Sequence, residues 1–413
     1  MSAQVDVNSH HGRESVVCGD RLIDNVLGTW AAAAEYTGEQ DMPVCTLAGN
    51  TLREIIRVSI GGKQLSLHLS NEFSDEPVFI KSVYIANTKD SCDIDKKTAT
   101  YLTFNGQKEV IIPAKGHVAS DLTEYNLQPL QLLTISICYG RNVPQHATSH
   151  RGSRTTSYIL RGTVTPSGKA KVIEKTDHWY NISKLNVTPN GAKAIAVLGN
   201  SITDGRGSTT NKQNRWTDFF ATHLNNLAAN NDHLTSGATN VNANFPTGVL
   251  NLGIGGNCVV EGGISEPALK RFDRDILGQS GVDLLIIFEG TNDIGTSTNA
   301  ERTAKQLIEA YQVMIDKAHQ HGIKVYGATI TPFKGNGWYS VFHEAARQTV
   351  NEWIRDGKAF DGIIDFDSIV RDPNDPERLN PEYSDDWLHL NPVGYEAMGR
   401  YAAKIISEKS TLK

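Results

Sequence analysis

Four groups of residues in this chain have the types needed to make and break an acyl bond. Ser201 stands in Gly199-Asn-Ser-Ile-Thr-Asp-Gly205, directly after the apolar run Ala194–Leu198. Gly256 lies in Asn251-Leu-Gly-Ile-Gly-Gly-Asn257, and Asn292 in Glu289-Gly-Thr-Asn-Asp-Ile-Gly295. Asp386 and His389 share Asp385-Asp-Trp-Leu-His-Leu-Asn391 near the C-terminus. A serine hydroxyl is a weak nucleophile until a base takes its proton. His389 can do so and later return the proton to a leaving alcohol. Asp386, three residues earlier, falls on the same side of a helical turn and would orient the imidazole. The tetrahedral oxyanion then needs donors fixed in advance. The Ser201 and Gly256 amides and the Asn292 side chain are the candidates. Each block alone has a plainer reading: Ser201 or Asn292 as a helix cap, the glycines as turns, Asp386 and His389 as a surface pair. Their joint presence points to acyl transfer.

For these residues to meet, each must sit at the end of a strand. Short apolar runs at Ala194–Leu198, Val249–Leu252, Leu284–Phe288, Ile323–Ala328 and Ile363–Phe366 read as buried parallel strands. Helical spacing falls between them, at Arg215–Leu227 and Phe342–Ile354, and after them at Tyr395–Ile406, just past Pro392. It is clearest in the stripe Ala304, Leu307, Ile308, Tyr311, Ile315 and Ala318. Strand alternating with helix predicts a parallel sheet covered on both faces, a three-layer α/β/α domain over residues 192–413. Ligands of such sheets bind at the carboxyl ends of the strands, where the four polar blocks fall.

The first part of the chain has a different rhythm. From residue 26 to 165 it reads as β throughout, with strict alternation in Gln64–Ser70 and Leu133–Ile137. Further short strands are expected at Ile55–Ile60, Val78–Ile85, Thr100–Phe104 and Val110–Ile112, separated by Gly, Asn and Pro turns. That pattern predicts a β-sandwich or jelly roll. Residues 1–25 form a polar leader, and 166–191 read as the interdomain junction. Within the junction, His178-Trp179-Tyr180 is aromatic enough to pack the two domains together, or to stack a sugar.

Composition sets outer bounds. A chain of 413 residues with 39% hydrophobic and 21% charged residues has ample material for two cores. A formal charge of -6 gives no nucleic-acid footprint, and no apolar run is long enough to span a bilayer. The leader lacks the apolar region of a signal peptide, so the expected compartment is the cytoplasm, or an exported one if a leader has been removed. Cys18, Cys45, Cys92, Cys138 and Cys258 are scattered, without zinc-ligand spacing or a disulfide framework.

The blocks Gly199–Gly205, Asn251–Asn257, Gly290–Asp293 and Asp386–His389 resemble, in order, those of the SGNH (GDSL-type) hydrolases. The resemblance covers essentially all of residues 192–413. It implies a flavodoxin-like sheet, a serine esterase mechanism and no metal or other cofactor. It also implies Ser201, Gly256, Asn292 and His389 as the four named site residues, with Asp386 completing the triad. The chain departs from the family at Asn200, where most members have Asp. Because the nucleophile is the next residue, the expected change is in loop geometry or local pKa and not in the reaction. Thr203 also takes the place of the final glycine in a Gly-x-Ser-x-Gly elbow, which speaks against the α/β-hydrolase fold.

A looser resemblance covers roughly the first 180 residues. Gly28-Thr-Trp30, Leu69-Ser-Asn-Glu-Phe73 and His178-Trp-Tyr180 are similar to a two-domain subgroup associated with plant polysaccharide breakdown. It implies carbohydrate ester substrates, chiefly acetyl groups on xylan-like chains. The sandwich itself either binds sugar or only buttresses its neighbour. A broad arylesterase or lysophospholipase remains an alternative, because fold and triad do not set the acyl group. A third reading, from another class, is a carbohydrate-binding protein with a silent hydrolase domain, against which the intact set of reactive residues argues. The loop Thr331–Tyr339 should overhang the site, with Phe333, Trp338 and Tyr339 lining an acyl pocket or sugar platform, or simply packing the loop down. Trp387 adds bulk beside the base. Oligomeric state is left open.

Overall fold

The computed structural model describes residues 16–18, 21–23, 26–188, 192–232 and 246–410. Apart from two short paired strands, Val16–Cys18 and Arg21–Ile23, the expected polar leader lies outside the described residues.

Residues 192–410 form the α/β/α domain. Five parallel strands, β1 (Lys193–Gly199), β2 (Thr247–Gly253), β3 (Val282–Phe288), β4 (Lys324–Ala328) and β5 (Gly362–Ile364), lie in the spatial order 2-1-3-4-5. This is the flavodoxin-like order, with its reversal between β1 and β3. Side chains alternate across the sheet, and both faces are buried. Ala196, Leu198, Leu252, Leu285, Ile287 and Val325 face helices α2 (Ala300–Gln320) and α3 (Val341–Asp356). Ile195, Val197, Val249, Ile286 and Phe288 face α1 (Trp216–Asp232) and α4 (Pro392–Ser410). Phe366, expected to end a strand, instead lies in a short helix, Phe366–Val370, which Asp365 caps through the Ser368 amide.

Residues 26–188 form an antiparallel sandwich. One sheet carries 110–112, 78–90, 132–139, 51–57, 157–160 and 172–176 in spatial order, with 93–94 and 100–102 also paired to 78–90. The other carries 117–119, 62–70, 182–187 and 27–31, with 123–127 paired to 62–70. Leu52, Val83, Ile135 and Ile137 meet Leu65, Leu67, Leu69 and Leu185 between them. Strands thus continue through the stretch read as a junction. Val172–Thr176 pairs with Ser157–Leu160, and Ile182–Val187 runs between Leu27–Ala31 and Gly62–Ser70. The polar Lys-rich spacing there belongs to strands with a wet face.

The two halves are packed together. The Gly28 amide donates to Ser280 O at 3.0 Å, the Val249 amide to Ser59 Oγ at 3.0 Å, and Asn186 Nδ2 to Ser280 Oγ at 3.0 Å. Arg215 of the α/β/α domain lies over the Trp179 ring at 5.8 Å. Arg274 of the α/β/α domain lies over the Phe73 ring at 5.2 Å. Residues from all three stretches that carried the looser resemblance therefore lie at or near the domain boundary.

Candidate active site

Gly199 ends β1, and the chain turns at once into a single helical turn, Ser201–Asp204. Asn200 caps it, its Oδ1 accepting from the Ile202 amide at 3.0 Å. Ser201 is thereby placed at the carboxyl edge of the central strand, 7% exposed. Its Oγ lies 2.9 Å from His389 Nε2. His389 Nδ1 in turn lies 2.7 Å from Asp386 Oδ2. The chain hydroxyl–imidazole–carboxylate is continuous, so the proton of Ser201 has an acceptor whose far nitrogen faces a carboxylate.

The base turn is held locally. Asp386 Oδ1 accepts from the Leu388 amide at 3.0 Å and the His389 amide at 2.8 Å, while its other oxygen takes the ring. Trp387, at φ 60°, supplies the left-handed step that lets one carboxylate reach both backbone and side chain. Ser384 Oγ donates to His389 O at 2.7 Å. Burial lowers the pKa of His389, Asp386 opposes that shift, and the positive charges of Arg206 and Arg154 add to it. Burial would raise the Asp386 carboxyl, but its bonds to the His389 ring and amide outweigh this and leave it below the usual carboxylate value.

The remaining pieces come from the loops after β2 and β3. Asn292 is the second residue of the short helix Thr291–Gly295, and its Nδ2 donates to Asn257 O at 2.6 Å. A carboxamide nitrogen carries two protons, so this bond orients the group and leaves the second free. Asp293 holds the Val259 amide at 3.0 Å and the Val260 amide at 3.2 Å. Gly256 has φ 70°, and a Cβ there would press on Ile264. The bare glycine leaves its amide approachable.

One guanidinium joins these loops. Arg271 is fully buried, and it donates to Gly199 O at 3.2 Å, Leu252 O at 2.8 Å and Asn257 Oδ1 at 3.0 Å. Asp275 Oδ2 at 3.1 Å supplies the negative charge, and Glu289 Oε1 lies 3.6 Å away. The ends of β1, β2 and β3 are thus tied to a single side chain. Burial pushes the pKa of Glu289 well up, against the pull of Arg271, with the Asn200 amide beside it. Asn200 therefore places a neutral group, not a second carboxylate, against a buried acid.

Neither Arg271 nor the contribution of the β-rich domain was legible in the sequence. His150, Arg151 and Arg154 of that domain reach Asp204, Glu35 and Ser265 around the nucleophile turn and the Gly256 loop. His150-Arg-Gly-Ser-Arg154 is a basic run closing a β pattern, and no spacing rule links it to Asp204.

The expected substrate-facing aromatics divide. Phe333 is 1% exposed and packed in the core, so it offers no surface to a ligand; an apolar ring at a strand end is as readily drawn inward as outward. Trp338 is half-buried and packs on Gly295, beside the Asn292 helix. Trp387 is half-buried, with the Arg378 guanidinium 3.6 Å from its ring centre and Gly335 against its pyrrole edge. Asn336 Nδ2 donates to Asp386 O at 3.0 Å, so the 331–339 loop does lean onto the base turn. Among the described residues no group of three or more His, Cys, Asp or Glu is placed to hold a metal ion. No helix among them is long and apolar enough to cross a membrane.

Residues 197–397 match the family model described as GDSL-like lipase/acylhydrolase. Three solved structures illustrate the range of likeness. A GDSL-like lipase from Bacteroides thetaiotaomicron is 22% identical, with TM-score 0.36, over 53% of this chain and 87% of its own. A carbohydrate acetylesterase from Sinorhizobium meliloti is 14% identical, with TM-score 0.38, over 52% and 99%. A family two carbohydrate esterase from Clostridium thermocellum, in complex with cellohexaose, is 15% identical, with TM-score 0.37, over 92% and 100%. Comparison with curated proteins gives no match.

Proposed function

We propose that this carboxylic ester hydrolase, whose residues 197–397 match the GDSL-like lipase/acylhydrolase family model, is a serine esterase removing short acyl groups, chiefly acetyl, from carbohydrate. The observation that carries the reading is the hydrogen-bonded chain Ser201–His389–Asp386. Ser201 Oγ attacks the ester carbonyl as His389 Nε2 takes its proton, and the carbonyl oxygen becomes an oxyanion. The amides of Ser201 and Gly256 and the free proton of Asn292 Nδ2 receive that charge. Collapse expels the sugar alcohol, protonated by His389, and leaves an acyl-enzyme on Ser201. Water, deprotonated by the same imidazole, then releases the acid. Asp386 keeps the Nδ1 proton in place and stabilises the imidazolium in both halves.

The short-acyl preference rests on the walls of the site. Trp387 is pinned between Arg378 and Gly335, Asn336 bonds the backbone of the base turn, and Ile264 lies against Gly256. These groups stand on the base turn and the Gly256 loop that flank Ser201, where their bulk would limit the length of the acyl chain. The carbohydrate assignment rests on the looser sequence resemblance of the first domain. The test is a series of aryl esters from acetyl to octanoyl, followed by acetate release from acetylated xylan. Activity should fall steeply from acetyl to butyryl and nearly vanish at octanoyl. A kcat/KM that stays level or rises with chain length would replace this reading with a lipid-directed one.

A further inference from the structure

We infer that His150, from the β-rich domain, is a positioning residue of the active site, clamping the nucleophile turn through Asp204; this rests on the serine-esterase reading. His150 is 4% exposed. Its Nε2 lies 2.9 Å from Asp204 Oδ1, and its Nδ1 lies 3.0 Å from the carbonyl of Ala33, with Glu35 Oε1 3.7 Å away. Both ring nitrogens therefore face acceptors. A neutral imidazole has one proton and would leave one of these contacts a repulsion between lone pairs; only the imidazolium donates to both. Trp179 stacks on the ring, centroids 5.7 Å apart, which fixes its rotation and favours the cation.

Asp204 ends the helical turn that begins with Ser201, and its amide donates to Asn200 O at 2.8 Å. Its carboxylate is 2% exposed and takes His150 on one oxygen and Arg154 Nη2, at 3.3 Å, on the other. Both partners belong to the β-rich domain. Gly152, between them, lies so close that any side chain would overlap the carboxylate. Arg215 closes the ring from the α/β/α side, its Nε donating to Asp204 O at 3.1 Å and its Nη2 to Ser153 O. On the other flank Arg151 Nη2 holds Glu35 at 2.8 Å, and Ser265 Oγ donates to the same carboxylate at 2.7 Å. Ser265 follows Ile264, which lies against Gly256. The β-rich domain thus grips the nucleophile turn and the Gly256 loop from one side, through His150, Arg151, Arg154 and Glu35. The charges facing His150 are Asp204 and Glu35, balanced by Arg151, Arg154 and Arg215.

Burial lowers the pKa of His150, but the charge of Asp204, the bond to it and the charge of Glu35 outweigh this and raise it above the ordinary 6.5. Burial would raise Glu35, yet His150 and Arg151 hold it below its ordinary value. The imidazolium clamp therefore holds to higher pH than an ordinary histidine would keep its proton, and is lost as pH rises through the raised value.

The test compares His150→Gln and Asp204→Asn with the wild-type protein, measuring kcat, KM, melting temperature and the pH profile on an aryl acetate. Wild-type kcat should decline on the alkaline side. His150→Gln should lower kcat about tenfold with KM little changed, because a displaced nucleophile loses rate and not binding, and its alkaline decline should disappear. Asp204→Asn should move that decline to lower pH, because removing the carboxylate removes the main charge that holds the proton on His150. A folded His150→Gln protein with wild-type kcat and an unchanged alkaline limb would overturn the inference. If His150→Gln does not fold, an Asp204→Asn profile identical to wild type overturns it equally. Turnover by Ser201→Ala would instead overturn the esterase reading, so the two failures are distinct.

Discussion

The nucleophile turn and the base turn end on the same hydrogen bond but are built by opposite means. Asp386 organises Leu388 and His389 within four residues of chain, at a side chain that is 49% exposed. Ser201 sits on a turn held from far away: by Arg271, which ties together three strand ends, and by His150 and Arg154 from the other domain. A local turn can be changed chemically with little loss of fold. A turn embedded in buried charges cannot, because removing one partner strands the others.

The largest expected effect is on the local side. Asp386→Asn should keep the fold and cost about 10⁴-fold in kcat, since the amide holds the wrong tautomer of His389. Enzyme kinetics beside a thermal melt would check this, and a large fall in melting temperature would break the contrast between the two turns. Arg271→Met should do the reverse. Removing a fully buried cation that faces Asp275 and Glu289 should cost about 3–5 kcal/mol of stability. A denaturant titration that gave wild-type stability would show the strand ends to be held by something else. Asn292→Ala should reduce kcat by about 10²-fold with KM nearly constant, because its free proton meets charge only in the transition state. A change confined to KM would make it a ground-state binding group. The smallest effect concerns pH. His389 must be neutral to act, and its pKa lies below the ordinary 6.5, so kcat/KM should rise with pH through a midpoint below that value. Arg206→Gln removes one of the charges that lower it and should move the midpoint upward. A midpoint that does not move would exclude Arg206 from the electrostatics of the base.

The same contrast decides how much the sequence reveals. Asp386-Trp-Leu-His389 is legible because the interaction is completed within the motif. The strands and helices of the α/β/α domain are legible because periodicity is local and both sheet faces are buried. Ser201 is legible as a residue on a strand-to-helix turn, but what holds it is not. Neither Arg271 nor His150 falls in a motif or a periodic stretch that would single it out. Only the folded chain brings His150 to Asp204, 54 residues on. The stretch 166–188 misleads for a related reason. Its polar, Lys-rich run looks like a junction until Val172–Thr176 pairs back on Ser157–Leu160 and Ile182–Val187 finds Gly62–Ser70, a strand laid down far earlier in the chain. Phe333 misleads through a limit of composition: an aromatic in a site loop gives no sign of which way it points.

The central claim is that ester hydrolysis passes through an acyl-enzyme on Ser201. Titration with an aryl fluorophosphonate, with the adduct located by peptide mass spectrometry and residual turnover of an aryl acetate followed in parallel, tests it most directly. One adduct per chain on the peptide bearing Ser201, with activity lost in proportion and no labelling of Ser201→Ala, is the predicted result. Full turnover after complete labelling of Ser201, or an adduct on another residue that tracks the loss of activity, would contradict it.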